Sequence, residues 1–542
     1  MKKITFIIVC AIVSFSNAQI TLVKDFAGSA SGNPGHGTPD NCYAFQDKLY
    51  FTVVSPTNNR GIIYTTDGTE TGTLPLQSNS STASRLYSEN PEWTELDNKL
   101  YVVAVNSASS TGTFIFYGTS NNVQFNLVNM AASSPSGLTT NDSELFFVAG
   151  DVVYGRELRS LDLDSNLKRL TNLNSSYGSG SNIDNITFLN DNIFFSGDDG
   201  TYGVEPWLNN TISNTNIQLG QINIHTNING GSSNPHNVVK IDNQCYFLAD
   251  SCCGNHVYKI NSNSTMSYVA ISNYAYPYPQ ELIHANINGK DYLVCSTWIY
   301  PNNTTERREL VFLNTANDDI TEISINVGPN ASNPSGFTVF NNYVYFSANN
   351  GSNGVELYRS QGTVATTELV MDINPSGNSN PANFMEYNGE LYFSANDGVN
   401  GKELWKVDTN NNVTLVENFT AGSGSFFPIP LAVMDNKLFL SGMMNNTERE
   451  LYSYIAPTLS TTTIEQTSNI VLTPNPTQNT FKIEYSNFQI EEVSIINING
   501  KQIKMFKEQQ ELYDISELQS GLYFINIKTD LGHMISRKLI KE

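Results

Sequence analysis

The chain has 542 residues, 29 basic against 51 acidic side chains, a net charge of −22 and only 15% charged residues. That balance argues against nucleic acid or an anionic membrane surface as partner, since both would repel it. Asn, Ser, Thr and Gly abound and no long 3.6-residue apolar period follows the leader, which excludes a helical protein and points to short strands joined by polar turns.

Residues 1–18 read as a secretory signal peptide. Lys2-Lys3 give the basic start, Ile4 to Val13 the apolar stretch, and Ser16-Asn17-Ala18 a small-residue cleavage site between Ala18 and Gln19. The apolar run is too short to span a bilayer, and no other stretch could, so the mature protein is expected to be soluble. Cleavage removes Cys10 and leaves Cys42, Cys245, Cys252, Cys253 and Cys295, an odd number whose pairing the sequence leaves open. No second close cysteine pair or nearby His pair completes a zinc site.

From Gln19 onward one β-hairpin recurs. Its clearest copy is Leu391 to Asp408: Leu391-Tyr392-Phe393 opens a strand, Asn396-Asp397-Gly398 supplies turn chemistry, and Glu403-Leu404-Trp405 starts the return. The aromatic anchor is found in nine copies, from Leu49-Tyr50-Phe51 to Leu438-Phe439-Leu440, at steps of about 45 to about 53 residues, a propeller-type period. A full repeat reads as four strands, exemplified by 383–387, 390–396, 403–407 and 413–419. An orphan fourth strand at Ile20–Phe26 and a missing one after Tyr454 predict that the two ends pair and close a ring. The expected fold is all-β, a closed β-propeller over 19–456 of about nine four-stranded blades, or eight if one divergent hairpin is an insertion. Turns between first and second strands are tight (Asn388-Gly389, Asn288-Gly289), whereas the second-to-third and fourth-to-first connections are long. The long loops share one face, where function is expected.

The loops Ser332-Asn333-Pro334 and Ser379-Asn380-Pro381, the Glu-Leu-Trp returns and Thr66 to Thr73 (TDGTETGT) together resemble the bacterial extracellular ELWxTDGT-repeat (hyalin-like) propeller family. The likeness covers about 20 to 456 and is weakest in repeats two, five and six.

A Thr/Ser-rich linker occupies 457–468. Beyond it, 469–542 reads as a small Ig-like β-sandwich of about seven strands. Leu472-Thr473-Pro474-Asn475-Pro476, Asn499-Gly500-Lys501, Asp514 to Leu518, Ser520-Gly521-Leu522-Tyr523 and Lys538 to Lys541 resemble the type A C-terminal sorting domain of the type IX secretion system. The resemblance implies export across the outer membrane through that machinery, followed by removal of the domain and release or surface attachment.

The repeated acid (Glu157, Glu205, Glu356, Glu403, Glu450) is expected to satisfy a hydrogen bond needed once per repeat rather than to catalyse. Arg156, Arg308 and Arg449 precede it in repeats three, six and nine, which resembles the arginine cluster of propeller sialidases, but such places would not converge. His225 and His236 share one connection without a catalytic motif. Turns such as Asp198-Asp199-Gly200 and Asn396-Asp397-Gly398 carry oxygen ligands for Ca²⁺, yet lack the spacing of a calcium loop, and turn chemistry is the preferred reading; no other cofactor is indicated. One departure stands out. Tyr274, Tyr276 and Tyr278 alternate with prolines before repeat six, and Trp298 and Tyr300 follow in its long loop, either as a sugar- or peptide-binding surface or as cover for an irregular blade. The sequence thus reads as an exported cell-surface or extracellular protein, a non-catalytic binding or adhesion module with polysaccharide as the favoured ligand. The alternatives are a polysaccharide-active enzyme, with Glu281 and Glu306 the first suspects, and a structural coat protein.

Overall fold

The computed structural model describes residues 14–15, 19–26, 38–54, 61–79, 84–106, 112–174, 180–222, 231–251, 254–272, 278–299, 307–420, 422–444, 449–457, 459–460, 471–484, 489–497, 502–529 and 534–542. The signal peptide, apart from Ser14–Phe15, and the linker residues 461–468 lie outside them. Two compact units divide the chain, one spanning 18–456 and one containing 457–542 together with 1–17.

Within 18–456 every repeat folds as an antiparallel meander, and the repeats are called units 1 to 9 in chain order. Unit 8 is the plainest: Ala382–Tyr387, Glu390–Asn396, Lys402–Val407 and Val413–Glu417 pair in that order. The second strand of a unit is covered on both faces, which is why it reads as an unbroken apolar run rather than an alternation: Leu391 to Ala395 are all buried. Buried clusters bridge successive units, as where Tyr345 and Leu357 of unit 7 meet Phe393 and Trp405 of unit 8. One such cluster joins Phe439 and Leu451 of unit 9 to Phe51 and Tyr64 of unit 1.

The first strands of successive units lie side by side. All but that of unit 2 carry a register shift, the mark of a β-bulge that turns the strand and re-aims its side chains. Several of those side chains then tie one unit to the next. Asn185 Nδ2 donates to the Pro235 carbonyl (2.9 Å), and the Glu281 carboxylate accepts from Gly336 N (2.6 Å).

The orphan strand pairs where the sequence placed it: Gln19–Lys24 lies against Glu450–Ile455. The expected closed propeller of nine, or eight, four-stranded blades is nevertheless corrected by the strand pairing. Units 3 to 9 form seven separate four-stranded sheets, each open at both edges, but units 1 and 2 merge into one ten-stranded sheet. Their bridge is the segment after Thr73, which returns as Leu74–Pro75, Gln77–Ser78 and Ser84–Tyr87 instead of a single fourth strand. Gln77–Ser78 pairs parallel to Gln124–Leu127 of unit 2, and Leu76, Leu86 and Phe125 share one buried cluster. Ile62 and Phe114 stand there in register where most other units have a buried acid. Without a carboxylate to collect the backbone of the following loop, that backbone finds its partners in the neighbouring sheet.

The C-terminal unit has a three-stranded sheet (Val471–Thr473, Thr480–Glu484, Tyr513–Asp514) and a four-stranded one (Gln502–Phe506, Ile490–Asn497, Gly521–Thr529, Met534–Lys541). Phe481, Val493, Tyr513, Ile525 and Leu539 meet in its core. Asn475 joins the opening motif to the last strand, accepting from Ile540 N (2.9 Å) and donating to the Lys538 carbonyl (2.7 Å).

Candidate functional site

The acid at the start of each third strand is fully or almost fully buried in units 3, 4, 6, 7, 8 and 9. Each carboxylate gathers the connection that leaves its unit. Glu356 accepts from Ile373 N (2.9 Å), Ser379 N (2.9 Å) and Ser379 Oγ (2.5 Å). Glu403 accepts from Thr420 Oγ1 (2.7 Å), Phe426 N (3.0 Å) and Phe419 N (3.4 Å). Ser332 and Ile325 N serve Glu309, Ser233 and Ile222 N serve Glu205, and Ser181 and Thr171 serve Glu157. In unit 9 the donor comes from the other end of the chain, Phe26 N to Glu450 (2.6 Å). Burial raises the carboxyl pKa of Glu157, Glu309 and Glu356 above the ordinary range and that of Glu403 to about 7, the hydrogen-bond donors working in the opposite direction. The acids are therefore spent on structure, as their repetition implied.

The connection so gathered places one residue in the left-handed region just before the next first strand. Ser134, Asn182, Asn234, Asn333 and Asn380 hold that place at φ of 45 to 50°. Two units put an aromatic there: Tyr278 (φ 43°) in unit 6 and Phe427 (φ 49°) in unit 9. A bulky residue in this region is a backbone outlier held by its surroundings. Both rings are turned outward, Tyr278 47% and Phe427 37% exposed. The sequence hid this because the Asn-Pro motif becomes Tyr-Pro and Phe-Pro at these two places alone.

Of the aromatic group expected before and within unit 6, Tyr274, Tyr276 and Tyr300 lie outside the described residues, as does Glu306. Tyr278 and Trp298 are brought together by Arg308. Its guanidinium sits 5.0 Å from the Trp298 ring centroid and donates to the carbonyls of Tyr278 and Ser296, 3.2 Å each. Glu281, also left-handed at φ 54°, has its carboxylate on Gly336 N, a positioning contact to unit 7.

A cavity of about 700 Å³ opens on the long-loop face of unit 3, lined by Ser133, Gly150, Asp151, Val152, Arg156 and Asn182 among others. Its charged groups are occupied. Arg156 donates to the Ser134 carbonyl and to Ser136 Oγ, while Asp151 accepts from Val153 N, Tyr154 N and Arg159. The turn oxygens weighed as Ca²⁺ ligands face inward as well: Asp198, Asn349 and Asn396 each accept from the glycine N–H two residues on, at 2.7 to 2.8 Å. Among the described residues no group of three or more His, Cys, Asp or Glu is placed to hold a metal. Cys42, Cys245 and Cys295 are free thiols, and Cys252-Cys253 lies outside the described residues, as does His225. No helix among the described residues is long and apolar enough to cross a membrane.

No curated protein matches the chain. Among solved structures, PorZ, a surface component of the type IX secretion system of Porphyromonas gingivalis, is 10% identical, with 93% of this chain and 86% of that one covered and a TM-score of 0.26. The β-propeller domain of the Trilobed protease from Pyrococcus furiosus is 10% identical over 70% of this chain and 98% of that one, at 0.32. A puromycin-hydrolysing peptidase of Mycobacterium tuberculosis is 7% identical over 75% and 58%, at 0.37. Similarity at this level carries no argument about function. The C-terminal unit is different: residues 472–542 match the secretion system C-terminal sorting domain, and the protein is secreted through the type IX system to the cell surface or extracellular space.

Proposed function

We propose that the 18–456 unit is a non-catalytic binding or adhesion module for polysaccharide, displayed or released outside the cell by its sorting domain. The observation that carries this reading is the Tyr278–Arg308–Trp298 group: an exposed ring in a costly backbone conformation, fixed by an arginine that also lies over a tryptophan. A flat aromatic surface beside a polar donor is what stacking on a sugar face needs. The resemblance of the repeats to the ELWxTDGT family supports an extracellular role of this kind. The enzymatic alternative is less favoured because the buried acids and Glu281 are all committed to backbone or hydroxyl donors.

A glycan array probed with the purified chain, alongside a reducing-end assay, tests the reading. Binding without turnover that disappears in Trp298→Ala is the expected result. Turnover that disappears in Glu306→Gln would make the protein an enzyme, and no ligand at all would favour a spacer in the surface coat.

A further inference from the structure

In each of the nine units one residue stands just before the buried acid, or before Ile62, Phe114 and His256 that replace it in units 1, 2 and 5, at the start of the third strand. Four of the nine are cations, Arg156, Arg308, Lys402 and Arg449, and none is an acid, in a chain with 51 acidic and 29 basic residues. Arg156 and Arg308 spend their donors on the carbonyl of their unit's left-handed residue, Ser134 or Tyr278. The other two behave differently. Among the described residues Arg449 reaches only Ser441, at 3.3 Å to Oγ and 3.5 Å to the carbonyl oxygen. The Lys402 ammonium has no hydrogen-bond or ion-pair partner among the described residues. Both are half-buried, on adjacent units, and close enough for each charge to act on the other. Burial first, and the Arg449 charge second, hold the Lys402 pKa below its usual value.

Phe427 is tied through the backbone to Lys402 and, through its neighbour, to the strand beside Arg449. Its N–H donates to the Lys402 carbonyl (3.0 Å), and the carbonyl of its neighbour Phe426 accepts from Met443 N, next to Ser441 and Gly442 on the strand that Arg449 approaches. Phe426 packs beneath Gly442, where a Cβ would collide with its ring, so Phe427 is forced outward. Two like charges partly removed from water, with no counter-charge paired to them among the described residues, form a site whose electrostatics an anion would satisfy. The strained, exposed ring beside them adds an apolar platform.

We infer that Lys402, Arg449 and Phe427 bind the carboxylate-bearing sugars of an acidic polysaccharide, the cations taking the carboxylate and the ring the apolar face of the pyranose. The inference rests on the reading of the protein as a glycan binder, but on residues separate from Trp298. Export places these groups where extracellular polymers are the anions at hand, and a uronate joins a flat C–H face to a carboxylate in one rigid unit.

The test is titration calorimetry of the chain from residue 19 to 542 with polygalacturonate, dextran and poly-glutamate. Polygalacturonate should bind, more weakly by about tenfold or more in Lys402→Gln/Arg449→Gln and more weakly as salt rises to about 0.3 M. Dextran and poly-glutamate should bind far less. Phe427→Asn, which restores the residue of the regular units, should lose about threefold in affinity while melting no lower than wild type, an outcome that a purely structural Phe427 would not give. Absence of polygalacturonate binding, unchanged binding by the double variant, or equal binding of poly-glutamate overturns the inference. If Trp298→Ala abolishes glycan binding while the double variant keeps it, this site fails and the wider reading stands.

Discussion

Units 8 and 5 place different groups at one position. In unit 8 Glu403 opposes Ala395, and in unit 5 His256 opposes Ala249. Glu403 gathers Phe419, Thr420 and Phe426 into a compact turn. His256 is also buried, but its Nδ1 finds no hydrogen-bond partner among the described residues and its ring rests edge-on against Tyr268, 5.4 Å between centroids. The connection that leaves unit 5 departs from the Ser-Asn-Pro pattern and brings Tyr278 to the surface; the one that leaves unit 8 carries Phe427 at the same place but keeps its turn on Glu403. A carboxylate that accepts from several donors fixes the turn of the loop after it, while the exposed residue of that loop remains free to vary.

The comparison breaks most visibly at Glu403. Glu403→Ala leaves two backbone N–H groups and a hydroxyl buried without acceptors, and should cost about 3 kcal/mol or more of stability, measured by urea unfolding. An unchanged midpoint would deny the carboxylate its organising role.

The same pair should respond to pH with opposite signs. The Glu403 carboxyl titrates at about 7 in the folded protein against 4.5 as its reference. The stability tied to its protonated form is thus fully present below about pH 4.5 and lost as pH rises through about 7, a change of about 3 kcal/mol. Glu403→Gln should remove that slope between pH 4.5 and 8. His256 is held below its reference of 6.5 by burial. Its contribution is present above about pH 6.5 and lost as pH falls further, so His256→Phe, the residue type that unit 2 carries at this place, should flatten the acid limb. Parallel slopes in the two variants would contradict the assignment.

The smallest effect is expected at the surface. Tyr278→Asn should stabilise the protein by about 1 kcal/mol, since Asn tolerates the left-handed region that a tyrosine resists. A loss of stability instead would mean that the ring holds the connection rather than being held by it.

Much of this was readable in the sequence. The second strands were legible because burial on both faces leaves an uninterrupted apolar run, and Leu391 to Ala395 show it. The role of the acids followed from their repetition, and the partner of the first strand from its surplus. The merger of units 1 and 2 was not legible, because Gln77–Ser78 and Ser84–Tyr87 are too short to carry a period. At the site, Trp298 and Tyr278 stood out by composition. Arg308 and Arg449 were noticed only as part of an arginine set that would not converge, and Lys402 not at all, because a cation's importance depends on whether a counter-charge faces it, which spacing does not reveal. Phe427 was masked by an apolar neighbourhood in which one more phenylalanine looked like core.

The hydrogen bond from Phe26 to Glu450 spans 424 residues of sequence, and the strand before it has no partner until Glu450–Ile455 exists. During synthesis and transport the first strand is therefore an unsatisfied edge for almost the whole passage of the chain. Closing so long a loop is slow, and the ninth sheet is the step that waits for it. The sorting domain emerges after that sheet, so the order of the chain lets the address be read only once the earlier residues needed to complete the fold have all been delivered.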